Sequence, residues 1–441
     1  LIGKNKIKQL SQSKFVRNVL IAATGTAMAQ VLGVVFTPII TRLYGPEAFG
    51  LMGTFVSLGT IAASITALSY PFAIVLPKKD SEAKSIVKLS IYISIVITFF
   101  AILSIIIAGD RLFALLGAQA IAAFALLIPL KMLFSAWLRI AQQWFIRNRQ
   151  FKTKAKIEVL QTFLVNSSQT VIGLFKPLAA VLILLSTLGV GLHVLLLSIS
   201  NSKIAKAKQK IEKEKKQTKE SITQVAKKYY DFPLYRAPVV LIDSITTSLP
   251  VLMLSAFFGP VSAGFYVLGV KLLKAPTKLI GRSVSDVFYP KITKAAHEGK
   301  DIRRLIINTT LGLAAIGFLP YAAVSLFGPW IFKLVFGAEW VTAGEYAQWV
   351  SFMIFFYFIS RPSVVATATL RLQRGFLIFS LFSTTIQVGA LYIGFKIYNN
   401  DVTAVALFSI SGAVSYTILM YWLIISSKMI IRKGKGSDIS V

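Results

Sequence analysis

Residues 42–50 read RLYGPEAFG and residues 256–264 read AFFGPVSAG. Gly45, Pro46 and Gly50 recur as Gly259, Pro260 and Gly264, each 214 positions further on. A glycine can close a helix in a left-handed conformation, and a proline can open the next helix at its first turn. Each copy therefore reads as a hinge-like hairpin tip, with the later glycine permitting close packing just below it. A second pair follows the first: Pro77-Lys78 and Pro290-Lys291, 213 apart, end the second helix of each hairpin. Two repeats of one helical unit are expected.

The residues around these tips fix the solvent. Of the 441 residues 55% are apolar and only 15% charged, and the mean hydropathy is +0.70. A water-soluble domain cannot bury that much apolar surface, so the chain is expected to be an all-α polytopic membrane protein. Apolar stretches able to cross a hydrocarbon layer about 30 Å thick run over 19–41, 50–75, 89–109, 119–145, 157–176, 178–200, 229–257, 261–290, 305–327, 341–369, 376–396 and 402–427. The break between the fifth and sixth is the weakest, resting on Lys176 and Pro177 alone.

The basic residues support this count of twelve. Segments on one side hold 35 Lys and Arg, and the opposite loops hold 5: Arg42, Arg111, Lys176, Lys333 and Lys396. By the positive-inside rule both termini and the long middle loop are cytoplasmic, and both Gly-Pro tips lie on the outer side. The basic N-terminal run (Lys4, Lys6, Lys8, Lys14, Arg17) leads into a long span with no cleavable signal peptide, and residues are expected ahead of Leu1. Six spans per half is an even number, so the halves enter the membrane in the same direction as parallel repeats. The expected domains are a six-helix bundle over 1–200, a basic linker over 201–228 and a second six-helix bundle with its tail over 229–441. Within the linker Ile204, Ala207, Ile211, Ile222 and Val225 follow one helical stripe. It reads as a surface-lying amphipathic helix or as a solvated tether.

The net charge of +31 is thus mostly topology and attraction to lipid headgroups, making membrane lipids a partner. No aromatic stacking platform accompanies the charges, so no nucleic-acid partner is expected. There is no cysteine, and only His193 and His297 represent histidine. No metal, Walker, nucleophile-elbow or glycosidase signature is present, and the outer loops are short and nearly free of acids. No enzyme activity, metal or cofactor is expected.

Eight basic residues remain inside the spans: Lys131, Arg139, Arg236, Lys271, Lys274, Lys278, Arg282 and Arg361. Glu158, Asp243, Asp286 and Glu345 are the acids at similar depth. Charges within the membrane cost several kcal/mol unless paired or wetted, so they normally mark a pathway. The excess is positive, and a cavity lined in this way should hold an anion. Lys271, Lys274, Lys278 and Arg282 fall at i, i+3, i+7 and i+11, on one helical face. Pro276 sits among them and should kink the helix. Arg236 and Asp243, at i and i+7, also share a face.

Other readings stand beside these. Arg139 and Arg282 can snorkel to the headgroups, Arg361 beside Pro362 can satisfy freed carbonyls, and Asp243 can be a structural partner of Arg236. Gln30, Gln161, Asn166 and Gln169 can bind sugar hydroxyls or hold helices together. Gly33, Gly53, Gly59 and Gly269 read as close helix contacts.

Three stretches carry a family resemblance: VRNVLIAATGTAMAQVLGVVFTPIITRLYGPEAFG (16–50), YYDFPLYRAPVVLIDSITTSLPVLMLSAFFG (229–259) and the eighth span through VFYPKI (287–292). They resemble the polysaccharide transporter (Wzx-type) flippases of the multidrug/oligosaccharidyl-lipid/polysaccharide exporter superfamily. The resemblance extends over the whole chain and is strongest at the two hairpins. It implies twelve transmembrane helices in two six-helix bundles around a central cationic cavity, with alternating access in the bacterial inner membrane. The substrate it implies is an oligosaccharide repeat unit on undecaprenyl diphosphate, moved to the periplasmic leaflet for O-antigen, capsule or exopolysaccharide assembly. A polysaccharide polymerase and a chain-length regulator are the partners it suggests. Lys271, Lys274, Arg236, Arg361 and Lys131 would then meet the diphosphate, and Asp243 would couple transport to an ion gradient. Span eleven lacks the acids by which some relatives bind sodium. A lipid II-type flippase and a multidrug exporter of the same superfamily are the alternatives.

Overall fold

The structure is a computed structural model that describes residues 14–115, 117–209, 221–297, 301–370 and 372–436. Every regular element among them is helical. In chain order the α-helices are α1 (Lys14–Ile65), α2 (Asp80–Leu115), α3 (Leu127–Arg147), α4 (Phe151–Phe175), α5 (Ala179–Gln209), α6 (Ile222–Lys228) and α7 (Ala237–Phe258). They continue as α8 (Pro260–His297), α9 (Ile302–Phe336), α10 (Val341–Ile359), α11 (Arg361–Thr369), α12 (Gln373–Ile393) and α13 (Asp401–Gly436).

Among the described residues seven helical stretches are long and apolar enough to cross a membrane. An eighth is added if Ala338–Ile359 and Arg361–Thr367, bent by 44°, form one broken span. The chain is therefore a multi-pass membrane protein. The difference from twelve has two sources. One stretch, Thr24–Ile65, holds two of the expected spans, and α3, α4 and α8 are helical but interrupted by polar and charged residues such as Lys131, Asn166 and Lys271. The break foreseen at Lys176 and Pro177 separates α4 from α5.

The repeated Gly-Pro pairs adopt one backbone geometry. Gly45 has φ 70° and ψ 173° in the middle of α1, and Gly259 has φ 89° and ψ 173° between α7 and α8. The positive φ was expected, but the ψ was not. Both glycines lie in the mirror-extended region that is essentially closed to other residues, rather than in the left-handed helical well. Pro260 then opens α8, while Pro46 resumes the helix inside α1.

The second expected span ends early. α1 stops at Ile65, Leu68 and Ser69 take positive φ values, and Tyr70–Val75 continues as a 3-10 turn. The break lies at Leu68 and Ser69, and Pro71 sits in the first turn of the 3-10 segment, where its missing N–H leaves no bond unmade.

Backbone proximity divides the chain into two units, Leu1–Ala263 and Gly264–Val441. In the first, Phe55, Ile121, Ile128, Met132, Ile183 and Leu252 share one core, so α7 packs with the N-terminal helices. A neighbouring core joins Tyr70, Ile74, Ile86, Ile140 and Val225. Val225 thereby anchors the end of the linker, whose residues 210–220 lie outside the described residues, as do the side chains of Ile204 and Ala207. In the second unit Phe288, Ile292, Ile306 and Leu370 pack together, and Phe265 makes edge contacts with Trp340 and Tyr346.

Candidate functional site

The 3-10 turn after α1 builds the most distinctive arrangement in the first unit. Arg147, at the end of α3, clamps this segment. Its Nη1 donates to the carbonyls of Pro77 (2.6 Å) and Ile74 (3.2 Å), and its Nη2 reaches Asp80 Oδ1 at 2.7 Å. The Tyr70 hydroxyl donates to the Ala226 carbonyl at 3.2 Å. These anchors fix Phe72 between them. The Arg139 guanidinium carbon lies 5.7 Å from the Phe72 ring centroid and that of Arg236 lies 4.7 Å from it. Two cations thus meet on one ring, each attracted by the negative face of the π-system. Neither forms an ion pair among the described residues, whose ion pairs include Arg147–Asp80 and Lys228–Glu82.

Asp243 lies two turns along from Arg236, is exposed, and makes no ion pair among the described residues. Its role as a structural partner of Arg236 is therefore not observed. The Arg236 side chain turns to Phe72 instead.

Lys131 is set apart from this pair. It is buried at 7% exposure within the core of α1 and α3. Its Nζ lies 5.0 Å from the Phe55 ring centroid. A Cβ at Gly59 would fall 2.9 Å from the Lys131 Cδ, so that glycine makes room for the lysine stem. A Cβ at Gly269 would make ordinary contact with Ala347, whereas one at Gly33 would have no neighbour within 4 Å among the described residues. Among the described residues no close contact of the kind expected is made at Gly33.

In the second unit, α8 is tied to α9 next to Pro276. The Tyr321 hydroxyl donates to the Leu273 carbonyl at 3.1 Å and lies 2.9 Å from the Thr277 hydroxyl. The positions of Lys271, Lys274 and Lys278 are centred about 110° round the helix from that face. Lys271 and Lys274 are half-buried, and the side chains of Lys278 and Arg282 lie outside the described residues. Arg361 stands at the 44° bend between α10 and α11. It donates to the Tyr357 hydroxyl at 3.1 Å and covers that ring at 5.0 Å. The Tyr357 ring is in turn 5.3 Å from Tyr416. Arg361 therefore uses a tyrosine, not the carbonyls freed by Pro362.

The polar residues of α4 divide between roles. Gln161 Nε2 donates to the Gly189 carbonyl of α5 at 3.1 Å, a helix-to-helix tie. Asn166 bonds within its own helix, to the Thr162 carbonyl at 2.7 Å. The Gln169 backbone carbonyl accepts from Tyr44 at 2.7 Å. Sequence reasoning missed Phe72, Tyr357 and Tyr416, since aromatic residues are plentiful throughout; nothing local marks Phe72 or Tyr416, while Tyr357 stands at i−4 from Arg361. The end of α1 carried a nearby signal in Pro71, where a span was expected to continue.

Among the described residues the chain is all-helical and multi-pass, with paired Gly-Pro breaks at 45–46 and 259–260. It matches the family described as "Polysaccharide biosynthesis protein" over residues 15–296 and belongs to that family. Among solved structures it is similar to an inward-facing multidrug resistance MATE family transporter of the MOP superfamily. That likeness has 15% identity and a TM-score of 0.63, covering 95% of this chain and 96% of the other. It is similar also to the lipid II flippase MurJ in an inward closed conformation, at 14% identity and a TM-score of 0.65, covering 96% and 94%. A Vibrio cholerae MATE transporter shares the fold at 14% identity and a TM-score of 0.55, covering 97% and 98%. No curated protein matches the chain.

Proposed function

We propose that the chain is a flippase carrying undecaprenyl-diphosphate-linked oligosaccharide units from the cytoplasmic to the periplasmic leaflet for surface polysaccharide assembly. The observation that carries this reading is the placement of Arg139 and Arg236 on the Phe72 ring, at 5.7 and 4.7 Å, with no carboxylate paired to either. Two guanidinium groups held close repel each other, and an oxyanion with several acceptor atoms relieves that repulsion through charge-assisted hydrogen bonds. A diphosphate has this chemistry. Membership in the polysaccharide biosynthesis family supports the glycan cargo.

In this reading twelve spans in two parallel six-helix repeats, 1–200 and 229–441, operate by alternating access in the bacterial inner membrane, with cytoplasmic termini. Arg236, Arg139, Lys271, Lys274, Lys278, Arg282 and Arg361 meet the diphosphate and glycan in turn, and Lys131 adds positive potential from behind Phe55. Asp243 serves ion coupling. Gly45, Pro46, Gly50, Gly259, Pro260, Gly264 and Pro276 serve as hinges. A polymerase and a chain-length regulator receive the product.

The test is complementation of a strain lacking its own copy of the gene. The Lys271→Ala/Lys274→Ala variant should reach the membrane at normal levels and leave the cell without surface glycan. Normal glycan display by that variant would remove the lysines from the mechanism. Normal display in the strain lacking the protein altogether would overturn the function itself.

A further inference from the structure

A cavity of about 580 Å³ lies within the first unit, between the start of α2, the end of α3 and the end of the apolar part of α5. Its volume falls within the roughly 300–1,000 Å³ typical of pockets that bury a small ligand. The walls are apolar, with Trp137 and Ile140 from α3 and Leu197 from α5, while Lys84, Lys88 and Asn201 stand at the polar end. This grading matches the membrane: α2 begins at Asp80, α3 ends at Arg147, and the apolar span of α5 ends at Asn201. The lysines and Asn201 therefore sit at headgroup level, and the apolar walls lie at acyl-chain level.

Three further observations select the occupant. The two nearby carboxylates are already engaged, Asp80 by Arg147 and Glu82 by Lys228 and the Tyr229 hydroxyl. Lys84 and Lys88, one helical turn apart and both exposed, form no ion pair among the described residues. Trp144 Nε1 donates to Asn201 Oδ1 at 3.2 Å, which leaves the Asn201 amide NH₂ to donate. Beyond the lining residues Ile91 and Val194, exposed apolar residues follow in the same helices, Ile95 one turn on in α2 and Leu195 next along α5. In a membrane protein such residues meet acyl chains, so this cavity opens where lipid is the solvent.

We propose that this cavity is a binding site for one anionic phospholipid. Its phosphate is held by Lys84, Lys88 and the Asn201 amide, and one acyl chain lies against Trp137, Ile140 and Leu197. The site is separate from the arginine pair on Phe72, and the proposal does not depend on what the protein transports.

Two of the six tryptophans line the cavity, which gives an intrinsic readout. The full chain in phosphatidylcholine nanodiscs would be titrated with phosphatidylglycerol carrying brominated acyl chains, and in parallel with brominated phosphatidylcholine. A lysine near a membrane surface favours an anionic lipid by about fivefold, so two give a preference of roughly thirtyfold for phosphatidylglycerol in tryptophan quenching. Lys84→Gln/Lys88→Gln should lower the phosphatidylglycerol curve to that of phosphatidylcholine. Ala141→Phe, which fills the cavity while keeping both lysines, should abolish the saturable quenching by both lipids. Trp137→Phe/Trp144→Phe should remove the lipid-selective part of the signal. Equal quenching by the two lipids in the natural chain would overturn the proposal. So would a phosphatidylglycerol preference that survives either double substitution.

Discussion

Replacing Arg139 or Arg236 by Gln separates a ligand-binding role from a structural one. Each guanidinium gains about 0.5–2 kcal/mol from the Phe72 face. Against this, two unit charges about 8–10 Å apart at an effective dielectric of about 20 repel by about 2 kcal/mol. The ring distances of 5.7 and 4.7 Å permit that separation. The repulsion equals or exceeds the attraction, so either single substitution should leave the unfolding free energy of the free protein unchanged or raise it by up to about 1.5 kcal/mol. In a chain of this size the melting temperature in detergent should then hold or rise by no more than about 2 °C. Anion binding should respond very differently. A hydrogen bond to a charged group contributes about 1.5–3 kcal/mol, so each lost guanidinium should weaken binding of a diphosphate lipid by roughly tenfold to a hundredfold. Melting curves and binding of an undecaprenyl diphosphate lipid, measured on the same preparations, give the comparison. A large loss of melting temperature with unchanged lipid affinity would refute the reasoning and make the pair a structural device.

Five other substitutions probe the fold around this site. Gly45→Ala and Gly259→Ala should each cost about 1–3 kcal/mol in thermal unfolding, because alanine cannot rest at φ 70° or 89° with ψ 173°. Gly33→Ala, with no described residue within 4 Å of the new Cβ, should be neutral or slightly stabilising in the same measurement. Lys131→Met keeps the stem over Gly59 and removes a buried charge, so its melting temperature should hold or rise. A fall would mean that the ammonium has an essential anionic partner. Arg147→Ala strips donors from the Ile74 and Pro77 carbonyls and from Asp80. It should destabilise by about 2–4 kcal/mol and increase proteolysis in the 70–80 segment.

Much of the architecture is legible without coordinates, and particular residues show why. The Gly-Pro pairs at 45–46 and 259–260 are local signals, because backbone conformation at a glycine and the missing N–H of a proline depend on little beyond the neighbouring residues. They mark a break inside α1 and the α7–α8 junction. The helical stretches follow from apolar length, and the Lys176–Pro177 break from the same kind of local rule. The early end of α1 was missed, although Pro71 stands just past it, because the apolar run continues through Val75 and outweighs one proline in any reading by hydropathy. The bend at Arg361 was missed for the same reason.

The site itself was only half legible. The sequence by itself determined the solvent, the helical character, the two Gly-Pro breaks and the list of cations that had to be accommodated, since these depend on composition and spacing along one chain. It also placed Lys271, Lys274 and Lys278 on one face, because helical period is a local property. Tertiary structure alone decided the distant partners. Phe72 receives Arg139 and Arg236 and Phe55 receives Lys131, whereas Tyr357 and Arg361 meet at the local i, i+4 spacing. Three of these four contacts join segments far apart in the chain. Periodicity states which way a residue points on its own helix but carries no information about which helix stands opposite. That is set by how whole helix faces pack, and a guanidinium over an aromatic ring from a distant segment leaves no spacing rule behind in the sequence.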